Sequence, residues 1–306
     1  MNKTAFIFPG QGSQYPGMGK EIADSFPIAR RIFEEADDAI AMKLSAICFG
    51  GSEEELKLTA NTQPAILTTS IAILRVIEQE TGLKADYLAG HSLGEYSALV
   101  CSGALNFADA VRTVRARGTF MQDAVPVGVG AMAAMLSIDK EALESICNEA
   151  AQGEVVSPAN FNSPGQIVIA GHGTAVNRAI EIAKGKGFRK AMLLPVSAPF
   201  HCELMKPAAD KLAKVVAALA YGSMTVPVVS NVDAEPNQES ARVNELLVAQ
   251  VCRPVLWEQS IQKMASLGVS RFVEIGPGKV LSGLVKRITK EVATANVEDL
   301  AGLKAL

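Results

Sequence analysis

The chain of 306 residues is 49% hydrophobic and 20% charged, a globular composition with apolar material for one large core or for a large and a small one. A net charge of −3 and the lack of a Lys/Arg-rich tract argue against nucleic acid as a partner, and no stretch is long and apolar enough to cross a bilayer. Five scattered cysteines (Cys48, Cys101, Cys147, Cys202 and Cys252) form neither a C-x-x-C pair nor a metal-ligand spacing, so reduced thiols, no metal and a cytoplasmic location are expected.

Thr4–Phe8 is a short apolar run ending in Pro9-Gly10, which predicts a buried strand feeding a loop. Helical spacing follows over Pro27–Ala41 and Gln63–Gln79, the second apolar nearly all round and therefore central. Asp86–Gly90 reads as a strand that runs straight into helical spacing over Ser92–Ser102, with an amphipathic helix over Asn106–Gln122. Strands alternating with helices predict a parallel sheet covered on both faces, as in α/β-hydrolase-like domains. After a linker-like Val125-Pro126-Val127-Gly128 the rhythm changes. Strands at Ala131–Ser137, Val155–Asn160, Gln166–Ala170 and Ala191–Leu194, with helices at Lys140–Ala150 and Ala175–Lys184, give the order βαββαβ of a ferredoxin-like insert. The expected organisation is an α/β catalytic domain over residues 1–126 and 196–306 with a small ferredoxin-like domain at 127–195. In the returning part, helices near Leu204–Leu219, Val243–Val251 and Glu258–Leu267 surround strands at Val226–Val229 and Arg271–Ile275.

The sharpest local signal is Gly90-His91-Ser92-Leu93-Gly94, a G-x-S-x-G pentapeptide between a strand and a helix. The flanking glycines permit a tight turn that leaves the Ser92 hydroxyl projecting, while the Leu93 N–H points to where an oxyanion would form. A serine needs a base. Of three histidines, His91 adjoins Ser92 on the turn and should point elsewhere. His172 sits in a strand-to-helix turn of the insert, where a solvated surface position is expected. His201, in Pro199-Phe200-His201, lies where the chain re-enters the large domain, and clefts between domains gather ligand sites. His201 is therefore the expected base. No acid can be placed beside it from sequence: Asp139 and Glu154 fall in the insert.

Taken together, Pro9-Gly10-Gln11-Gly12-Ser13-Gln14, Gly90–Glu95, Arg117-Gly118 with Met121-Gln122, Asn160–Gly171, Pro199-Phe200-His201 and Glu274–Gly278 resemble the malonyl-CoA:acyl carrier protein transacylases and the related acyltransferase domains of fatty-acid and polyketide synthases. The resemblance spans Phe8 to about Leu284 in family order. It implies an oxyanion hole from the amides of Gln11 and Leu93, and a backbone carbonyl at Gln250 in place of the triad acid. It also implies that Arg117 grips the free carboxylate of a malonyl group, and that Met121, Asn160 and Phe200 border the substrate. The implied activity is ping-pong malonyl transfer from malonyl-CoA to the phosphopantetheine thiol of acyl carrier protein, without a cofactor and in a monomer, for fatty-acid or polyketide synthesis. A serine thioesterase or esterase with the same Ser-His pair, or a non-catalytic carrier-protein-binding module, are the alternatives. Because such a carrier is acidic, a basic patch is expected among Lys184, Lys186, Arg189, Lys190, Lys286 and Arg287.

Overall fold

The computed structural model describes residues 3–126, 128–196 and 198–306, so the expected junction at Val127 lies outside the described residues. Its strands are β1 (Lys3–Phe8), β2 (Tyr87–Gly90), β3 (Gly130–Leu136), β4 (Val156–Ser163), β5 (Gln166–His172), β6 (Lys190–Leu193), β7 (Val228–Val229), β8 (Pro236–Asn237), β9 (Val269–Ile275) and β10 (Ala293–Val297). Six of them form a sheet ordered β10-β9-β1-β2-β7-β8, parallel except for the terminal β8.

The unbroken apolar run of β1 is explained by burial on both faces. Phe6 and Phe8 enter the core beneath the helices Thr59–Thr81 and Phe107–Gln122, whereas Ala5 and Ile7 enter a second cluster with Trp257, Ile261 and Leu284. Thr59–Thr81 begins a turn earlier than its apolar pattern predicts and carries Pro64 inside. A proline there leaves the Ala60 carbonyl without its helical donor, and Arg115 Nη1 supplies one at 3.3 Å. The helix after the serine turn is also shorter than predicted, Gly94–Ser102, because Ser92 has φ +50° and cannot belong to it.

The remaining four strands form an antiparallel sheet ordered β4-β5-β3-β6, and its elements follow the order βαββαβ. The alternation along β3 assigns its two faces: Ala133 and Met135 pack under the helices Lys140–Ala151 and Gly173–Gly185, while Met132 and Ala134 join the core of the large sheet. The small sheet is thus held against the large one, and Val255 bonds to Ala159 and Phe161 at that seam. Short elements unforeseen in the sequence include β8, β10 and the helices Lys20–Ser25, Leu44–Gly50, Glu53–Lys57, Val280–Ile288 and Leu300–Lys304.

Candidate active site

The loops that leave the C-terminal ends of β1, β2 and β7 converge, as ligand-binding loops of open parallel sheets do. Only glycine fits where they meet. A Cβ on Gly90 would lie 1.9 Å from the Gly94 backbone, and one on Gly94 would lie 2.1 Å from the Phe8 carbonyl oxygen. This crowding forces Ser92 into the left-handed region and turns its hydroxyl out of the sheet. Asn231, just after β7, braces the turn: its Oδ1 accepts the Ser92 N–H at 2.7 Å and its Nδ2 donates to the Gly90 carbonyl at 2.7 Å.

Ser92 Oγ lies 2.7 Å from His201 Nε2, and His201 Nδ1 lies 2.8 Å from the Gln250 carbonyl oxygen. A carbonyl only accepts, so Nδ1 carries the proton and Nε2 is free to take one from serine. Burial, reinforced by the Arg117 cation, pushes the His201 imidazole down to about 3 and keeps it neutral. His91 turns away, as expected, with Nε2 2.8 Å from Asn162 Oδ1. His172 departs from its expected solvated position: it is half-buried, and its Nδ1 accepts the Val155 N–H at 2.9 Å, tying β5 to the start of β4. Asp139 caps the helix Lys140–Ala151, and Glu154 pairs with Arg178, so neither serves His201.

Arg117 is 1% exposed. Its Nη1 donates to Gln63 Oε1 at 2.9 Å, and its Nη2 donates to Gln250 Oε1 at 2.9 Å and to Ser92 Oγ at 3.1 Å. Its Nε is buried with no acceptor. Arg112 and Arg115, on the same helix, are spent on Asp109 and on the Ala60–Asn61 turn. A cleft of about 560 Å³, open to solvent, brings together Gln11, Ser92, Leu93, Arg117, Met121, Asn160, Phe200 and His201, with Gln250 behind them. Neither the Gln11 nor the Leu93 backbone N–H donates to another described residue. A second cavity of about 680 Å³ shares Gln11, His91, Asn160 and Leu194 with the first and runs out past Val280 and Leu284.

Sequence reasoning missed Gln63, Asn231, and the side chains of Glu95 and Gln250. Gln63 carried a readable signal, an amide beside Pro64 at the head of the apolar run Ala65–Leu67, and the fold buries it. Of the six expected basic residues, Lys184 and Lys186 are neutralised by Glu181 and Glu149, and Arg287 donates to Gln166. Among the described residues no cluster of three or more His, Cys, Asp or Glu could hold a metal ion, and no helix is long and apolar enough to cross a membrane.

Residues 5–305 match the acyl transferase domain family. The chain is 53% identical over 300 residues to the malonyl CoA-acyl carrier protein transacylase of Bacillus subtilis (strain 168), covering 98% of this chain and 94% of that one. Its fold superposes with a TM-score of 0.97 on an acyl carrier protein S-malonyltransferase from Vibrio cholerae, at 47% identity and 99% coverage of each chain. A malonyl-transacylase solved in complex with a type II PKS acyl-carrier protein gives the same TM-score of 0.97 at 47% identity, with 99% of this chain and 98% of that one covered.

Proposed function

The chain belongs to the acyl transferase domain family, and on that premise we propose that it moves a malonyl group from malonyl-CoA to the phosphopantetheine thiol of an acyl carrier protein through an ester on Ser92. The observation that carries this reading is Arg117, a buried guanidinium 3.1 Å from the nucleophile whose Nε–H has no acceptor. Burying a cation beside a serine is costly unless an anion arrives to meet it. A malonyl carboxylate supplies that anion, and a neutral acyl group does not.

In the first half-reaction His201 Nε2 takes the Ser92 proton as Oγ attacks the thioester carbonyl. The amides of Gln11 and Leu93 hold the oxyanion. His201 then returns the proton to the departing CoA sulfur. In the second half-reaction the carrier's thiol gives its proton to His201 and attacks the ester, and Ser92 recovers its own proton. The carboxylate on Arg117 offsets the cation beside the imidazole, so the base gains proton affinity when the acidic acyl group is in place. Met121, Asn160 and Phe200 wall the acyl pocket, and the thiol arm enters along the second cavity. A monomer without a cofactor remains part of this proposal, and five free cysteines support a cytoplasmic setting. The separate apolar cluster under the small sheet supports reading residues 127–195 as an inserted domain. Arg189, Lys190 and Lys286 are the basic residues proposed to meet an acidic carrier, for fatty-acid or polyketide synthesis.

The test is intact mass recorded within seconds of mixing with malonyl-CoA or acetyl-CoA, with Ser92→Ala alongside. One malonyl group gained by the wild type alone, and weaker labelling by acetyl, is the expected result. Rapid CoA release without an adduct would replace this reading with a thioesterase.

A further inference from the structure

Beneath the serine turn lies a carboxylate that no step above uses. Glu95, in the first turn of the helix Gly94–Ser102, is 2% exposed. Its Oε2 accepts from Gln250 Nε2 at 2.7 Å and from the Asn231 backbone N–H at 3.1 Å. Gln250 Nε2 also donates to the Ser92 carbonyl at 3.0 Å. Both amide hydrogens of Gln250 are therefore directed toward the turn, which leaves Oε1 facing Arg117 Nη2 at 2.9 Å.

The two ends of a glutamine amide have nearly the same shape, so its partners alone decide which end points where. Turned over, Gln250 would set an NH₂ group against the guanidinium, donor against donor, and would set its oxygen against the Glu95 carboxylate. Glu95 Oε2, which already accepts from Asn231, disfavours that state together with the Ser92 carbonyl, because each mismatch strands a buried polar group. Arg117 is held by two amide oxygens, those of Gln63 and Gln250; Gln63 Nε2 meets only the Met121 thioether, a weak acceptor at 3.8 Å, whereas Gln250 Nε2 meets the Glu95 carboxyl at 2.7 Å.

We propose that Glu95 is a positioning residue for substrate selection: it orients the Gln250 amide, whose oxygen then holds Arg117 toward the acyl pocket. This rests on Arg117 gripping the malonyl carboxylate. Direct support of the nucleophile comes from the Asn231 side chain through the Ser92 N–H, whereas Glu95 reaches Asn231 only at its backbone N–H. Loss of Glu95 should therefore weaken discrimination between acyl groups more than it weakens acyl transfer as such.

The experiment compares acylation of the full-length protein by malonyl-CoA and acetyl-CoA in single turnovers for the wild type, Glu95→Met, Glu95→Gln and Arg117→Ala. Glu95→Met keeps the bulk and removes the acceptor, so the malonyl-to-acetyl ratio of kcat/KM should fall about tenfold, the scale of one charge-assisted hydrogen bond. Glu95→Gln can still present an oxygen to Gln250 Nε2 and should bring the ratio back to within about threefold of the wild type. Should Glu95→Met fail to fold, Glu95→Asp makes the same test by withdrawing the carboxylate by one methylene while keeping its charge, and the ratio should again drop. An equal loss with both substrates would reduce Glu95 to scaffolding and overturn the proposal, as would a Glu95→Gln ratio as low as that of Glu95→Met. If Arg117→Ala leaves the ratio unchanged, it is the reading of Arg117 that fails, and the two failures are thereby told apart.

Discussion

The two sheets treat polar groups in opposite ways. At the end of the parallel sheet, Glu95, Arg117, His201, Asn231 and Gln250 are all buried and bonded to one another around a strained serine, with only Arg117 Nε left without an acceptor among them. Under the antiparallel sheet the core is apolar, and its charges form pairs at the surface, such as Arg178 with Glu154 and Lys186 with Glu149. A reacting centre gains from dipoles fixed before substrate arrives, and only buried, mutually bonded groups are fixed in that sense. A wall needs only shape. The small sheet accordingly contributes Met132 and Asn160 to the cleft and none of the proton-moving groups.

The largest effect should come from the crowded turn. A methyl group at position 94 would meet the Phe8 carbonyl at 2.1 Å and the Pro9 carbonyl oxygen at 2.9 Å, backbone that cannot swing aside as a side chain can. Gly94→Ala should cost more than about 4 kcal/mol or prevent folding, beyond the range of ordinary overpacking. Thermal unfolding checks this. A Tm within a few degrees of the wild type, with acylation intact, would mean the turn has slack and would erase the contrast between the sheets.

How far each region can be read from sequence follows the same division. The strand, glycine turn and helix around Ser92 were legible because apolar run, G-x-S-x-G and helical spacing are all local. The insert's strands were legible as short apolar runs and its two helices as amphipathic spacing between them. β10, Ala-Thr-Ala-Asn-Val at a sheet edge and only half-buried, carries no such alternation, and β8 is two residues long. The helix Glu53–Lys57 did announce itself through the Ser52–Glu55 capping box, which went unread. In the site, Ser92 and His201 follow from motif and position. The parts played by Arg117 and by the Gln250 carbonyl came only from resemblance. The Glu95–Gln250 contact joins residues 155 positions apart, and no local pattern encodes a partner that the fold supplies.

A middling effect should appear in the pH dependence of stability. Burial pushes the Glu95 carboxyl up from 4.5 to about 7, against the donors on Gln250 and Asn231 and the nearby Arg117 cation, with Asp233 adding to the rise. The folded protein thus keeps a proton that the unfolded chain gives up near 4.5. The resulting stability is present below that value and lost as pH rises through about 7. Gln at position 95 has no proton to lose. The Tm of Glu95→Gln relative to the wild type should therefore climb between about pH 5 and pH 8. His201 titrates in both proteins and cancels from the difference. Parallel curves would mean that Glu95 is ionised throughout, and the buried cluster would then resemble the surface pairs more than the contrast allows.

The smallest effect belongs to the other side of the comparison. Lys186 Nζ lies 2.7 Å from Glu149 Oε2, but the two side chains are 45% and 52% exposed. Water and salt screen such a pair, and holding two long side chains in one geometry costs entropy that offsets most of the attraction. Lys186→Ala should change stability by no more than about 0.5 kcal/mol, and adding salt should shrink even that. Thermal melts of both proteins at low and high ionic strength measure it. The pair joins the loop after the helix Gly173–Gly185 to the helix Lys140–Ala151, so a cost several times larger would mean that surface charge, and not the apolar layer beneath, fastens those helices together. The small sheet would then depend on polar contacts as the serine turn does, and the division of labour between the sheets would have to be redrawn.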